Sequence, residues 1–383
     1  MAYKKTVNGT VLVAMSGGVD STVAAYLLKQ QGYECAGVTL DLYGDNRKTI
    51  GEARQAAQSV GIEHIVLELR SGFEEHVLEY FARVYLSGNT PNPCVECNRH
   101  IKFRQLLLAA DRMGADYIAT GHYARIEYDR ASRRYLLKKA ADAAKDQSYV
   151  LYTLAQDCLA RTLFPLGTLS KGEVRRLAAN NGFSSACRPE SQDICFAPDG
   201  DHAGFIERFT GRPAPEGLFV GADGGALGTH KGLIRYTVGQ RKGLGIAADE
   251  PFYVKSKNAA DNTVSLCKSS ALYTRSLIAG HFNWIAYDGA KAAFGDNIYY
   301  ESGVTGGTIR VKAKLRYRQA EQWASVRRVA TERVDARAGQ TDSGRDDALS
   351  VTFDEPQRAI APGQSVVLYD GDTVVGGGVI QSV

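Results

Sequence analysis

The sequence predicts an α/β fold, an open and mostly parallel sheet, followed by a small central domain and a C-terminal β-barrel. Two observations lead there. Over roughly the first 200 residues, apolar runs of strand length alternate with segments whose apolar residues recur at helical spacing, the signature of strand–helix–strand units. Past residue 203 that periodicity fades, glycine becomes frequent and β-type runs take over. Glycine makes up 40 of 383 residues, above the usual ~7%, which suits many turns and hairpins. At about 100–200 residues per domain, two or three domains are expected, and the texture places them at 1–203, 204–280 and 281–383.

The elements follow in order. Val11 to Met15 is an apolar run of strand length. Residues 19–31 carry Val19, Val23 and Leu27 on one helical stripe, with Ala24 and Leu28 beside it. Residues 35–42 and 65–69 read as strands, and 49–60 as a helix stopped by Gly61. Helices are expected at 73–86 and at 101–113, the second stopped by Gly114, with a strand at 117–120. Ser170 with Glu173 forms a capping box that opens a helix, and Gly182 marks its end. Strands are then expected at 252–256, 263–267, 307–315, 366–369 and 374–380, with Asp370-Gly371 as a hairpin turn. A boundary between the last two domains falls near 278–284. Residues 331–348 are polar and dotted with glycine, and read as a loop. There is no internal repeat.

Composition excludes several classes. With 46 Lys+Arg against 42 Asp+Glu the net charge is only +4, so the chain is not polybasic, although local clusters can still grip RNA. Hydrophobic residues at 44% and charged residues at 23% exclude wholesale disorder. No run approaches the about 20 apolar residues that span a bilayer. Lys4 and Lys5 ahead of a short apolar stretch are too little for a signal peptide, because Ser16-Gly17-Gly18 interrupts it. A cytoplasmic location, no membrane partner and a monomeric state are the expectations. The seven cysteines are then reduced thiols, nucleophiles or metal ligands, not a disulfide framework.

Ser16-Gly17-Gly18-Val19-Asp20-Ser21-Thr22 joins the first strand to the first helix. Its glycines let backbone approach a ligand, its hydroxyls donate, and the helix N-terminus adds amides and a positive dipole end. This is an anion site. It has no lysine of its own, and G-x-x-x-x-G-K-[ST] occurs nowhere, which argues against a kinase or GTPase. The loop resembles the pyrophosphate (PP) loop of the ATP pyrophosphatases, enzymes that form AMP adducts. Two thiol segments, Asn92-Pro93-Cys94-Val95-Glu96-Cys97-Asn98-Arg99, read as a loop before a helix, and Ser191-Gln192-Asp193-Ile194-Cys195-Phe196, add sulfur chemistry: a thiolate can carry a persulfide, and a second thiol can resolve the resulting disulfide.

Together these motifs resemble the bacterial tRNA-specific 2-thiouridylase (MnmA) family. The resemblance continues through Thr90-Pro91-Asn92-Pro93, Ile101-Lys102-Phe103, Thr120-Gly121-His122-Tyr123-Ala124-Arg125 and Lys145-Asp146-Gln147-Ser148-Tyr149. Beyond these lie the stretch from Tyr236 to Gly245, then Arg316-Tyr317-Arg318-Gln319 and Ala361-Pro362-Gly363-Gln364. It implies an adenine nucleotide alpha hydrolase-like, PP-loop domain, ATP and Mg2+ as cofactors, and tRNA as substrate. It also implies a persulfide sulfur donor, either a cysteine desulfurase or a relay protein. ATP would adenylate the 2-oxygen of the wobble uridine in tRNAs for Lys, Glu and Gln. Cys195 would deliver sulfur and Cys97 resolve it, on a base unstacked from a single-stranded loop. The resemblance assigns ATP to Ala14, Met15, the Ser16–Thr22 loop, Leu40 and Gly121, with Asp20 acting through magnesium or by ordering the loop. It assigns tRNA contact to Asn92, Pro93, Cys94, His122, Lys145, Asp146, Gln147, Arg316, Tyr317 and Gln364.

One position departs from the family. Where its pattern is Asn-Pro-Asp-x-x-Cys, this chain has Cys94 in place of the Asp. A thiol does not replace a carboxylate; Glu96 and Asp193 are the nearby acids that can handle a proton. The change also creates Cys94-x-x-Cys97, which with Cys195 gives the three thiolates of a [4Fe–4S] cluster with one open iron. Two mechanisms stand side by side, a persulfide relay between Cys195 and Cys97, or cluster-assisted transfer with Cys94, Cys97 and Cys195 as metal ligands. A zinc site completed by Cys187 is a third reading, while Cys35, Cys158 and Cys267 sit in apolar surroundings as core residues.

Local charge supports RNA: Arg99, His100, Lys102 and Arg104; Arg133, Arg134, Lys138 and Lys139; Arg241, Lys242, Arg316 and Arg318. A PP-loop synthetase acting on a small molecule is the competing enzyme, but it leaves Cys97, Cys195 and the β-rich half without a role. A non-catalytic RNA-binding module is the competing non-enzyme, against which the intact loop argues.

Overall fold

In the computed structural model, residues 8–187, 194–294, 307–329 and 348–383 are described. The chain divides into two compact units. One comprises residues up to Leu78, Pro93–Phe196 and Gly371–Val374; the other comprises Glu79–Asn92, Ala197–Asp370 and Val375–Val383.

The first unit is built on a parallel sheet. Strand β1 (Thr10–Ala14) leads into helix α1 (Val19–Gln30), β2 (Glu34–Asp41), α2 (Arg47–Val60) and β3 (Glu63–Glu68). Helix α3 (Arg70–Phe73) continues through a π-helical turn, Glu74–Leu78, into α4 (Glu79–Leu86) of the second unit. Helix α5 (Pro93–Glu96), a second π-helical segment (Cys97–Lys102) and α6 (Phe103–Met113) form one continuous rod. Then come β4 (Tyr117–Ala119), the hairpin β5 (Ala124–Asp129) and β6 (Arg134–Lys139), α7 (Gln156–Ala160), β7 (Thr162–Leu163) and α8 (Lys171–Asn180). The sheet order is β3-β2-β1-β4-β7, with every pairing parallel. Val11, Leu12 and Val13 of the central strand are completely buried, as expected of a strand covered on both faces. The order reverses beside β1, so its C-terminal end is where a doubly wound sheet takes its ligand.

Helix stops obey local chemistry. Gly61 and Gly114 take left-handed conformations after α2 and α6, and the expected capping box at Ser170 and Glu173 is present, with both halves bonded. The cysteine segment differs from its expectation. Residues 92–99 read as a loop, yet the helix begins at Pro93, whose fixed φ and missing N–H suit a first helical turn.

In the second unit, α9 (His202–Thr210) precedes a small sheet of β8 (Gly217–Val220), β9 (Ala226–His230), β10 (Tyr253–Asn258) and β11 (Thr263–Cys267), in the order β10-β11-β8-β9. Strand β12 (Tyr273–Trp284), α10 (Gly289–Phe294), β13 (Ile309–Lys314), β14 (Gln322–Val329), β15 (Ala348–Arg358), β16 (Ser365–Asp370) and β17 (Thr373–Ser382) follow. Their ladder runs β12-β15-β14-β13-β16-β17, and β17 pairs back onto β12, which closes a six-stranded barrel. The boundary expected near 278–284 falls inside an unbroken strand: β12 already pairs with β15 from Tyr273 onward. The polar stretch 331–348 lies outside the described residues up to Ala348, which opens β15. Among the described residues no helix is long and apolar enough to cross a membrane.

Candidate functional site: a phosphate loop and a thiol pocket

At the C-terminal end of β1 the chain turns through Met15, Ser16, Gly17 and Gly18 into α1. Met15 continues the ladder, its N–H donating to Val38 O at 2.8 Å, and its carbonyl accepts from the Thr39 hydroxyl at 2.8 Å. Gly17 has φ +75°, and a Cβ there would lie 2.9 Å from Glu52 and 3.0 Å from the Ala53 amide, so only glycine fits. Gly18 is the N-cap of α1 and offers no side chain to its amides. The hydroxyls stiffen the turn: the Ser16 N–H donates to Ser21 Oγ at 3.2 Å, and Ser21 and Thr22 donate to Gly18 O at 3.1 and 2.9 Å. Val19 and Thr22 are buried beneath it. Ala14 closes β1 opposite Val38 of β2, and Leu40, half-buried, lies two residues further along β2.

Asp20 is held on two sides. Lys171 donates to both its oxygens at 2.7 Å, and the Tyr123 hydroxyl donates to Oδ1 at 2.6 Å. The Lys171 side chain is only 11% exposed. The loop without a lysine of its own therefore receives one from the start of α8. The sequence reading missed both partners. The signal for Lys171 was its position: a buried cation in the first turn of a helix opposes the dipole and calls for an anion nearby.

Residues 120–123 join this loop to the thiols. A Cβ on Gly121 would lie 2.9 Å from the backbone of Asp20 and of Ser21, so this backbone rests on the phosphate loop. The next residue, His122, bonds Thr120 Oγ1 through Nδ1 at 2.7 Å and packs against Phe103 with centroids 5.7 Å apart. Burial, and then the charge of Lys102, pull His122 down to about 3, so its ring is neutral. Gln147 clamps the segment: its Oε1 accepts from the Tyr123 N–H at 2.9 Å, and its own N–H donates to Tyr123 O at 2.8 Å.

Lys102 ends the π-helical segment that Cys97 begins. Burial strips water from its ammonium, but Cys97, Cys94 and Cys195, once ionised, outweigh that loss and hold it charged above its ordinary value. Among the described residues no carboxylate pairs with it. The thiols respond in turn. Cys97, 6% exposed, is pushed up to about 12 by burial, against the pull of Lys102. Cys195 is also raised, by desolvation first, and Lys102 again opposes the rise. Cys94 and Cys195 are exposed where Cys97 is buried. In the free protein burial thus keeps Cys97 a protonated thiol, and Lys102 is the cation that opposes the rise. π-Helical turns recur at functional positions because the wider turn re-aims side chains. Here the wider turn spans Cys97 to Lys102, five residues apart, and the charge of each acts on the other.

The remaining candidates separate. Asp146 is buried and used internally, accepting from the Ala140 and Ser148 amides and the Ser148 hydroxyl. Lys145 donates its N–H to Asp142 O within the same turn. Glu96 faces His100 at 3.3 Å, and that ring stacks on His76. The side chain of Cys187, and Asp193, lie outside what the structure describes. In the second unit, Asn92 ends the stretch before Pro93, and Gln364 donates to the carbonyls of Thr90 and Pro91 at 3.0 and 3.1 Å. Arg316 donates to Ala359 O, and Tyr317 is exposed. Cys158 and Cys267 are buried and Cys35 is half-buried.

The fit to metals follows. Mg2+ keeps most of its ligands as water and phosphate oxygens and needs one or two carboxylates; Asp20 has the chemistry, with both oxygens now held by Lys171 and Tyr123. For an iron–sulfur cluster the thiols fit in number but not in arrangement. Among the described residues no three His, Cys, Asp or Glu side chains converge as a metal group.

Three family models cover the chain almost end to end. One described as a tRNA methyl transferase HUP domain matches residues 9–199, a tRNA methyl transferase PRC-barrel domain matches 203–268, and an aminomethyltransferase beta-barrel domain matches 274–380. A protein of Clostridioides difficile (strain 630) named tRNA-specific 2-thiouridylase MnmA is 42% identical over 385 residues, 98% of each chain. A second, from Caldanaerobacter subterraneus, is 44% identical over 387 residues, again 98% of each. A third, from Acetivibrio thermocellus, is 43% identical over 384 residues, 97% of this chain and 99% of that one. The methyl transfer in two of the model descriptions and the thiolation in the relatives' names disagree. The relatives match over 98–99% of their own length, so their names and not the model descriptions define the family.

Proposed function

The chain belongs to the tRNA-specific 2-thiouridylase family, and on that premise we propose how its residues carry out ATP-dependent thiolation of the wobble uridine. The observation that carries the reading is continuity. Residues 120–123 rest on the phosphate loop at Gly121 and, through His122, pack on Phe103 of the rod that carries Cys94 and Cys97.

In the first step the uridine 2-oxygen attacks the α-phosphorus of ATP and pyrophosphate leaves. The loop amides, the N-terminus of α1 and Lys171 hold the departing phosphates; Asp20 would hold Mg2+, which would supply neutralisation of their charge. A pyrimidine carbonyl oxygen is a poor leaving group, and as an AMP ester it becomes a good one. In the second step the terminal sulfur of a Cys195 persulfide attacks C2 and AMP departs with the oxygen. The base is then joined to Cys195 through a disulfide. Cys97 attacks the Cys195 sulfur, a Cys97–Cys195 disulfide forms, and the thiouridine leaves with the electron pair. A two-electron thiol reductant resets the pair. Lys102 supports each anionic sulfur in turn. Cytoplasmic tRNA and a cysteine-derived persulfide carrier are the partners this chemistry needs.

Metal-free, reduced protein given ATP, Mg2+, unmodified tRNA and a persulfide donor is expected to form 2-thiouridine. Cys195→Ser should lose at least ~10³-fold in thiolation while still releasing pyrophosphate in the presence of tRNA. Failure of the metal-free protein, with activity returning after anaerobic iron–sulfur reconstitution, would make Cys94, Cys97 and Cys195 cluster ligands. Absence of tRNA-dependent pyrophosphate release would overturn the reading.

A further inference from the structure

The outer face of the barrel carries a feature that none of these steps uses. Strand β13 alternates, with Val311 and Ala313 in the barrel core and Arg310, Lys312 and Lys314 on the outside. Directly across from Lys312, on β14, stands Trp323. Its indole is 49% exposed. The guanidinium of Arg310 and the ammonium of Lys312 lie 5.2 and 5.4 Å from its ring centroid. Asp354 holds Arg310 in place through a two-pronged ion pair, whereas among the described residues no carboxylate pairs with Lys312. The strand then runs into Tyr317, 38% exposed with Lys314 at 6.0 Å.

One exposed tryptophan alone needs no explanation. The other indole of the chain shows the structural alternative: Trp284 packs 4.5 Å from Phe282 and 5.6 Å from Phe294 against the barrel core. Trp323 is instead displayed beside Arg310, which Asp354 holds in place, and Lys312, on a face whose outward β13 positions are all basic. Outward neighbours on a strand repeat about every 6.6–6.8 Å, a spacing that suits successive phosphates of an extended nucleic-acid strand. An aromatic platform flanked by backbone-binding cations is the recognition chemistry of unpaired nucleotides.

We propose that Trp323, Lys312 and Arg310 form an RNA contact of their own, in which an unpaired tRNA base stacks on the indole and Lys312 takes the adjoining phosphate. The proposal rests on tRNA being the substrate. The chain has two tryptophans, so the fluorescence difference between wild type and Trp323→Ala isolates Trp323. Titrating full-length protein with unmodified tRNA should quench that difference signal and shield it from acrylamide, and a fully paired RNA duplex should not. Trp323→Ala should weaken tRNA binding about tenfold. Lys312→Gln should lower the slope of log affinity against log salt by about 1. Both substitutions are at surface positions that leave the core intact. Wild-type affinity and salt slope in both variants, or quenching by an acidic polypeptide and not by tRNA, would overturn the contact while thiolation stands. Absence of tRNA binding by the wild type would sink both readings.

Discussion

The phosphate loop and the thiol pocket lie in one compact unit but are specified differently. The loop is local: seven consecutive residues set the turn, the hydroxyl network and the start of α1, and its one strong charge, Asp20, is fully partnered. The pocket is assembled from distant segments. Its cysteines come from positions 94, 97 and 195, its cation pairs with no carboxylate among the described residues, and the helix that carries Cys94, Cys97 and Lys102 opens into a π turn. The difference teaches where each step draws its driving force. In the proposed first step the phosphates meet a turn already stiffened by its own hydroxyls, so adenylation needs little rearrangement. In the proposed sulfur step the chemistry starts from a Cys97 thiol that burial keeps protonated, and it waits for a persulfide donor.

The widest separation between the two regions is expected at Lys171. Lys171→Ala removes the cation that reaches the phosphate loop and leaves Asp20 with a single partner. Tritrating tRNA-dependent pyrophosphate release should show a loss of about 10²–10³-fold, the usual cost of a charge stabiliser, with partial recovery in Lys171→Arg. Transfer of sulfur from a persulfide donor onto Cys195, read by mass, should be unchanged. Equal loss in both measurements would mean that the two regions are not separable.

A smaller effect is expected at Gly121, where the regions touch. Its Cβ would sit 2.9 Å from the loop backbone, and backbone cannot swing aside as a long side chain can. Gly121→Ala should cost about 1–3 kcal/mol in nucleotide binding, seen as a roughly tenfold or greater rise in KM for ATP. An unaltered KM would show that the loop yields without cost.

This contrast also explains what was legible in the sequence. Apolar run, paired glycines and hydroxyls are neighbours in the chain, so the loop could be read residue by residue, as could the capping box at Ser170 and the glycine stops at Gly61 and Gly114. Lys171 lay in plain sight at the start of α8, but only the fold brings it to Asp20, 151 positions away. Lys102 was read as one of several basic residues near the cysteines. Helical spacing gives no reason to pair it with Cys97, because five residues apart is not one face of an α-helix. The helix at Pro93 was missed for the opposite reason: Asn-Pro-Cys reads as a turn, although proline is at home in a first helical turn. The boundary read near 278–284 falls inside strand β12, which only barrel pairing with β15 and β17, distant in the chain, holds together.

The finest test concerns the ionisation of Cys97. Its folded value is raised to about 12, by desolvation first. An acid raised above its ordinary ~8.5 holds its proton through neutral pH and loses it only as pH climbs toward the folded value. Alkylation of Cys97 by iodoacetamide, followed by peptide mass mapping, should therefore rise about tenfold per pH unit from 7 to 10 without levelling, whereas an ordinary thiol levels near its own pKa. Lys102 opposes the rise, so Lys102→Met should push Cys97 higher still and slow its alkylation at pH 9 by about threefold to tenfold. Alkylation that levels near pH 9 would mean the thiol is not desolvated. A Lys102→Met profile that overlays the wild type would mean that the cation serves the incoming sulfur and not the resting thiol, and the two regions would then both hold their charge in reserve for the substrate.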